Sequence, residues 1–194
     1  LPLPRLAGRH QVANAAAAIA AVKAAGMPAG LAAAEKAMMS VAWPGRMQRL
    51  PQGRLSGLAP EGAEVWIDGG HNPGAGIVIA EALTEQEERF ARPLFLISGM
   101  LNTKDQTGYF RAFNGIARHV YTVPVTSSDA GASNAELAAR AAEAGLSAEP
   151  VNSVANALML LRDTWSGDIA PRVLIGGSLY LVGEVLRENG TPPD

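Results

Sequence analysis

The sequence predicts an α/β fold, a mostly parallel sheet flanked by helices and preceded by a short helical segment. Three observations carry this. From Arg46 onward, short apolar runs alternate with amphipathic stretches, the texture of β-α-β units. Before Arg46 the chain is alanine-rich with helical spacing. Of its 194 residues, 48% are hydrophobic and 18% charged, which is enough to build a core and too apolar for a disordered chain.

Taken in order, the first helix is expected over His10–Ala25 and ends at Gly26. Val12, Ile19 and Val22 fall close to one of its faces, with alanine elsewhere permitting close packing. A second helix is expected over Ala29–Ser40, broken by Trp43-Pro44-Gly45. Neither is a signal peptide or a membrane span. Asn14, Lys23 and Glu35 interrupt or bound the alanine-rich stretch, and no apolar run reaches the roughly 18 residues a bilayer requires. The cytoplasm is the expected location, without a membrane partner.

Strands are expected near Met47–Leu50, Leu55–Leu58, Val65–Ile67, Leu94–Ser98, Val120–Val123 and Val173–Ile175, with Ser147–Val151 as a further short one. Helices fill the gaps at 73–90, 106–117, 133–144, 153–164 and 179–188. Ser133-Asn134-Ala135-Glu136 is a capping-box pattern, in which serine and glutamate satisfy free amides reciprocally. The pattern is Rossmann-like, and residues 1–44 are expected to form a unit distinct from an α/β domain over 45–194.

Composition removes several functional classes. There is no cysteine, hence no disulfide framework and no thiolate metal site. A net charge of −2 does not favour a nucleic-acid partner. His10 and His119 lack a second ligand at metal-binding spacing, so no metal site is expected in the chain. No nucleophile elbow and no G-x-G-x-x-G fingerprint follow a strand.

In open α/β sheets, ligands gather beyond the carboxyl ends of the strands. One such end reads Val65-Trp66-Ile67-Asp68-Gly69-Gly70-His71-Asn72-Pro73. The strand delivers Asp68, the glycines allow a tight turn, Asn72 suits an N-cap and Pro73 the first helical position. Asp68 and His71 thereby sit beside a helix N-terminus that favours anions. They either handle a ligand there or cap the turn. The loop Ser98–Asp105 misses the P-loop pattern, although Lys104 has a positive charge to offer a phosphate. Gly176-Gly177-Ser178 opens the last helix, with Ser178 as an N-cap or a donor to substrate. Arg46 follows a rigid turn and is of the type suited to bidentate phosphate binding. Asn14, in mid-helix, needs a polar partner.

The segments Gly8–Ala16, Trp43–Gln48, Asp68–Pro73, Gly99–Asp105 and Gly177–Val182, in that order and spanning nearly the whole chain, together resemble the C-terminal part of folylpolyglutamate synthase/dihydrofolate synthase, of the Mur ligase superfamily. Gly70 departs from the alanine usual there. The resemblance implies an ATP-dependent ligase that joins L-glutamate to dihydropteroate or a folate through an acyl phosphate. ATP is then a substrate, and Mg2+ is held in an N-terminal ATPase domain that partners this one and has no counterpart here. Residues 1–44 would be the tail of that domain and its linker, and Leu1-Pro2-Leu3-Pro4 the seam. By the same resemblance Asn14, Arg46 and Asp68 contact ATP, and His71 and Ser178 contact glutamate. His71 and Asp68 are the implied catalytic pair, and Lys104 a phosphate contact. The alternatives are the C-terminal domain of another Mur-type amino-acid ligase, or a stand-alone Rossmann-like nucleotide-binding module.

Overall fold

Six strands form one sheet in the computed structural model, which describes residues 1–28 and 30–192. They are β1 (Gln48–Arg49), β2 (Glu64–Asp68), β3 (Leu94–Ser98), β4 (Ala117–Thr122), β5 (Ala148–Pro150) and β6 (Arg172–Gly176). Their spatial order is β1-β2-β6-β3-β4-β5. β1 runs antiparallel to β2, and the other neighbours pair in parallel. Helices α3 (Pro73–Arg89), α4 (Gln106–Arg111), α5 (Asn134–Glu143), α6 (Val154–Thr164) and α7 (Leu179–Asn189) lie between or after them. The expected mostly parallel, helix-flanked sheet is the fold observed.

Both faces of the sheet are covered. Alternation along β3 sends Phe95 and Ile97 to one side and Leu94 and Leu96 to the other. The first side packs on Leu158 and Leu161 of α6 and Val185 of α7. The second packs on Ile79 and Leu83 of α3, Tyr109 and Phe110 of α4 and Leu137 of α5. Burial on both faces is why β3 and β6 are nearly unbroken apolar runs in the sequence.

Two expected elements differ. Leu55–Leu58 is not a strand; Ser56–Leu58 forms a turn of 3-10 helix. Side chains take the amides at and just before its start. Leu55 N and Ser56 N both donate to Asn189 Oδ1 at 3.0 Å, and Gly53 N donates to Ser56 Oγ at 2.7 Å. The helix expected over 106–117 ends at Arg111. Turns then carry the chain through Gly115, whose φ of 82° is left-handed, and β4 begins at Ala117. The capping box at Ser133 and Glu136 forms.

Ahead of the sheet stand α1 (His10–Ala24) and α2 (Leu31–Ser40). Ala29, the expected start of the second helix, lies outside the described residues, as do Pro193 and Asp194. α1 buries Gln11 and α2 buries Met38. Ile19 and Val22 line a groove of about 300 Å³ between the two helices, while Val12 faces outward at 45% exposure. The segment just before α1 meets the sheet and its helices through Ala7, packed on the second core cluster, and through an Arg9–Glu85 ion pair at 3.4 Å.

Candidate functional site

Parallel pairing lines up the strand ends. Asp68 is in register with Gly176, Gly176 with Ser98, and Ser98 with Thr122. The loops after β2, β3, β4 and β6 therefore leave from one edge, the edge where ligands of such sheets collect. Ser98 Oγ donates to Gly176 O at 3.1 Å and ties two of these ends together.

Asp68 closes β2 and is 4% exposed. Its Oδ1 accepts from Gly70 N at 2.7 Å and its Oδ2 from Met47 N at 2.8 Å. Burial pushes its carboxyl above the ordinary range; the Gly70 and Met47 amides, with the Arg46 and His10 charges, pull against that shift without cancelling it. His71 follows on the same loop, half-buried. Its Nδ1 lies 2.9 Å from Gly69 O. A carbonyl only accepts, so Nδ1 donates, and Nε2 of the neutral ring is left as an acceptor. Asn72 then caps α3, accepting from Ala75 N at 2.9 Å, with Pro73 at the first helical position.

Arg46 approaches from the preceding turn. Gly69 N donates to Gly45 O at 2.9 Å, which straps this turn to the Asp68 loop. Gly45 N donates to Gln48 Oε1 at 2.9 Å. Arg46 Nη1 donates to Gly45 O at 3.2 Å and passes directly over Gly69, where a Cβ would stand 3.2 Å from it. The same Cβ would run into the Leu179 side chain. Glycine at 69 therefore lets the Arg46 turn, the Asp68 loop and the start of α7 share one space. A cleft of about 410 Å³ opens beside the turn, lined among others by Trp43, Arg46, Gln48 and Trp66.

Ser178 is buried as the N-cap of α7 and accepts from Tyr180 N at 3.1 Å. Asn14 is exposed on α1; its Nδ2 donates to Gln11 Oε1 at 3.2 Å, and Gln11 Nε2 lies 2.8 Å from His10 Nε2. The structure thus gathers Arg46, Asp68, His71 and the Ser178 turn. Asn14 is linked by hydrogen bonds to Gln11 and, through it, to His10 at the start of its own helix. Lys104 stands half-buried on its own loop, and among the described residues no ion pair joins it to the others.

Two contributors were not singled out from the sequence. Met47 supplies a backbone amide from a left-handed conformation, φ 39°. Gln48 braces the turn through its side chain. Gln48 sits inside the motif segment Trp43–Gln48 that already drew attention; nothing in the sequence marks the Met47 amide.

The family model described as "Mur ligase, glutamate ligase domain" matches residues 45–179. The chain belongs to that family. This glutamate ligase domain is similar in structure to Mycobacterium tuberculosis folylpolyglutamate synthase complexed with ADP and AMPPCP, with a TM-score of 0.81 and 23% identity over 98% of this chain and 42% of that one. It is similar to Escherichia coli FolC in complex with ADP, with a TM-score of 0.71 and 26% identity over 96% of this chain and 40% of the other. The Yersinia pestis bifunctional folylpolyglutamate synthase/dihydrofolate synthase matches at a TM-score of 0.73 and 24% identity, covering 96% of this chain and 40% of that one. The chain spans about two-fifths of the length of these structures. A comparison with curated proteins gave no match.

Proposed function

We propose that this chain is the glutamate-handling domain of an ATP-dependent ligase that joins L-glutamate to dihydropteroate or a folate. The observation that carries the reading is the meeting of the Arg46 turn, the His71 loop and the Ser178 turn over Gly69 at the carboxyl edge of the sheet. The family match to a glutamate ligase domain and the likeness to folylpolyglutamate synthases support it.

The reaction runs in two steps. A carboxylate oxygen of the pteroate or folate takes the γ-phosphoryl group of ATP, giving an acyl phosphate and ADP. The glutamate amine then attacks the acyl carbon, the C–O bond to phosphate breaks, and the amine gives up a proton as the amide forms. Both steps need negative charge held in place and the amine aligned with the acyl carbon. Arg46 offers a fork of donors to the phosphates, with Asn14 on the nucleotide side and Lys104 as a further cation. The Nε2 of His71 is poised to accept from the glutamate ammonium or carry its proton, and Ser178 orients the amino acid. Asp68 stands between the Arg46 and His71 turns.

A partner ATPase domain elsewhere in a longer protein would bring the nucleotide and its Mg2+. Among the described residues no three His, Asp or Glu side chains converge on a metal position.

The test is glutamate-dependent ATP turnover by the full protein with dihydropteroate and with folate. Arg46→Ala is expected to lower kcat/KM by about 10²- to 10³-fold, the scale of losing one preorganised donor to transition-state charge. Turnover near the wild-type rate in that variant overturns the assignment. Turnover with a cell-wall precursor in place of a folate would move the protein to another Mur-type ligase.

A further inference from the structure

We infer that Glu184 acts as a positioning residue for Lys104: from α7 it anchors the loop after β4, and that loop holds the turn from which Lys104 meets a ligand anion. The inference rests on the ligase reading for what Lys104 meets, a phosphate oxygen or a carboxylate of glutamate; the tie itself is a property of this chain.

The loop after β4 has fixed feet and a tip that depends on its neighbours. Val125 and Ala132 are each 5% exposed, whereas Thr126, Ser127 and Asp129 stand in solvent. Ser127 N donates to Glu184 Oε1 at 2.6 Å, a short bond to a charged acceptor. Among the described residues no other side chain from outside the loop bonds to its backbone between 126 and 131. Beyond Ser127 the tip folds back on itself. Ala130 N donates to Ser128 Oγ at 3.3 Å and Gly131 N to Ser128 O at 3.1 Å. A Cβ on Gly131 would stand 2.7 Å from Val125 O, so glycine lets the two legs close this far.

The closed tip is zipped to the loop after β3. Asn102 N donates to Ala130 O at 2.8 Å, Ala132 N to Met100 O at 2.9 Å, and Leu101 and Gly131 form an antiparallel bridge. Leu101 O in turn accepts from Lys104 N at 3.3 Å and from Nε2 of the buried Gln106 at 3.0 Å. Asp105 then caps α4, accepting from Gly108 N at 2.8 Å. Lys104 therefore leaves, half-buried, from a turn closed on both sides. A lysine on a free loop is a mobile point charge, and one presented by a stitched turn has less freedom to lose on meeting an anion. The helix that opens with the Ser178 cap thus also steadies, through Glu184, the cation-bearing turn beside it.

The experiment combines kinetics on the full enzyme with amide hydrogen exchange. Glu184→Ala, Glu184→Gln, Lys104→Ala and the Glu184→Ala/Lys104→Ala double variant are assayed for kcat and for KM of ATP and of glutamate. The KM that rises in Lys104→Ala, for ATP or for glutamate, identifies the anion Lys104 meets. Glu184→Ala should raise the same one and lower kcat/KM by about tenfold, the scale of one hydrogen bond to a charged group. In the Lys104→Ala background it should cost no more than about threefold, because it acts through Lys104. Glu184→Gln keeps an acceptor oxygen and should recover most of the loss. Exchange at Ser127, Asn102 and Ala132 should quicken in Glu184→Ala while Leu174 and Ile175 in the interior of β6 stay protected.

An undiminished loss in the Lys104→Ala background would place the effect elsewhere on α7 and overturn the inference. So would wild-type kinetics in Lys104→Ala, a rise in the other substrate's KM in Glu184→Ala, or unchanged exchange at Asn102 and Ala132. A wild-type protein without ligase turnover would refute the proposed function, and the exchange result would still decide the tie.

Discussion

Replacing Gly177 with alanine tests how the Ser178 turn is built. Gly177 has a φ of 100°, where a side chain is strained wherever it points. That strain amounts to about 1–3 kcal/mol. The new Cβ would stand 2.7 Å from Met100 Cγ, 2.7 Å from Ser98 Oγ and 3.1 Å from Gly99 O. Met100 is 0% and Ser98 2% exposed, so neither can swing into solvent. Overpacking of this kind costs about 1–3 kcal/mol, and losing the Ser98–Gly176 hydrogen bond about 1 more. A total of about 3–7 kcal/mol follows. Gly183, in the interior of α7, has nothing within 4 Å of a Cβ. Alanine there should stabilise by about 0.5–1 kcal/mol. With a urea slope of about 2 kcal/mol/M, Gly177→Ala should lower the unfolding midpoint by more than about 1 M while Gly183→Ala raises it slightly. A Gly177→Ala midpoint equal to or above that of Gly183→Ala would refute the reasoning.

Glu64 makes the protein acid-sensitive. Burial pushes its carboxyl up, but hydrogen bonds from Arg172 and Trp66 and the charges of Arg172 and Arg92 outweigh that and hold it below the ordinary range. A depressed carboxylate adds stability above its unfolded value and loses it as pH falls through the folded one. Glu64→Gln should therefore lower stability at neutral pH and flatten the decline on acidification, measured by urea unfolding from pH 7 to 3; parallel curves would contradict this. Asn189→Ala removes the acceptor of Leu55 N and Ser56 N and the donor to Pro51 O. Leaving such groups unpaired should cost about 2–4 kcal/mol in the same assay. Ser178→Ala should cost about 1 kcal/mol as a lost cap. If the hydroxyl also binds substrate, Ser178→Asn will restore stability and leave the KM for glutamate raised; recovery of both would make Ser178 a cap alone.

What the chain spells out locally was readable. β3 and β6 are apolar runs bounded by glycine, and Asn72, Ser133 and Ser178 announce the helices they cap. Leu55–Leu58 has a strand-like sequence but depends on Asn189, 134 positions from Leu55, whose side chain takes its amide in place of a strand partner. The helix from Gln106 ends at Arg111 and the chain turns through a left-handed Gly115, a role that glycine as a residue type does not announce. Arg46, Asp68 and His71 were all visible as residue types in suggestive turns. Their connection was not, since it runs through the amides of Met47, Gly69 and Gly70, and every residue but proline has an amide. Asn14 needed a polar partner and found one a helical turn away in Gln11.

The sheet order also dictates when the site comes into being. β6, residues 172–176, is wedged between β2 and β3, which never touch each other along the sheet. Without β6, β1 with β2 and β3 with β4 and β5 are two ribbons with no ladder between them. Asp68 and Ser98 reach their common edge only through Gly176. A ribosome that stalls before residue 172 leaves two unpaired inner edges, an opening for aggregation, and no assembled pocket wall. Insertion of β6 and alignment of the site's strand ends are one event.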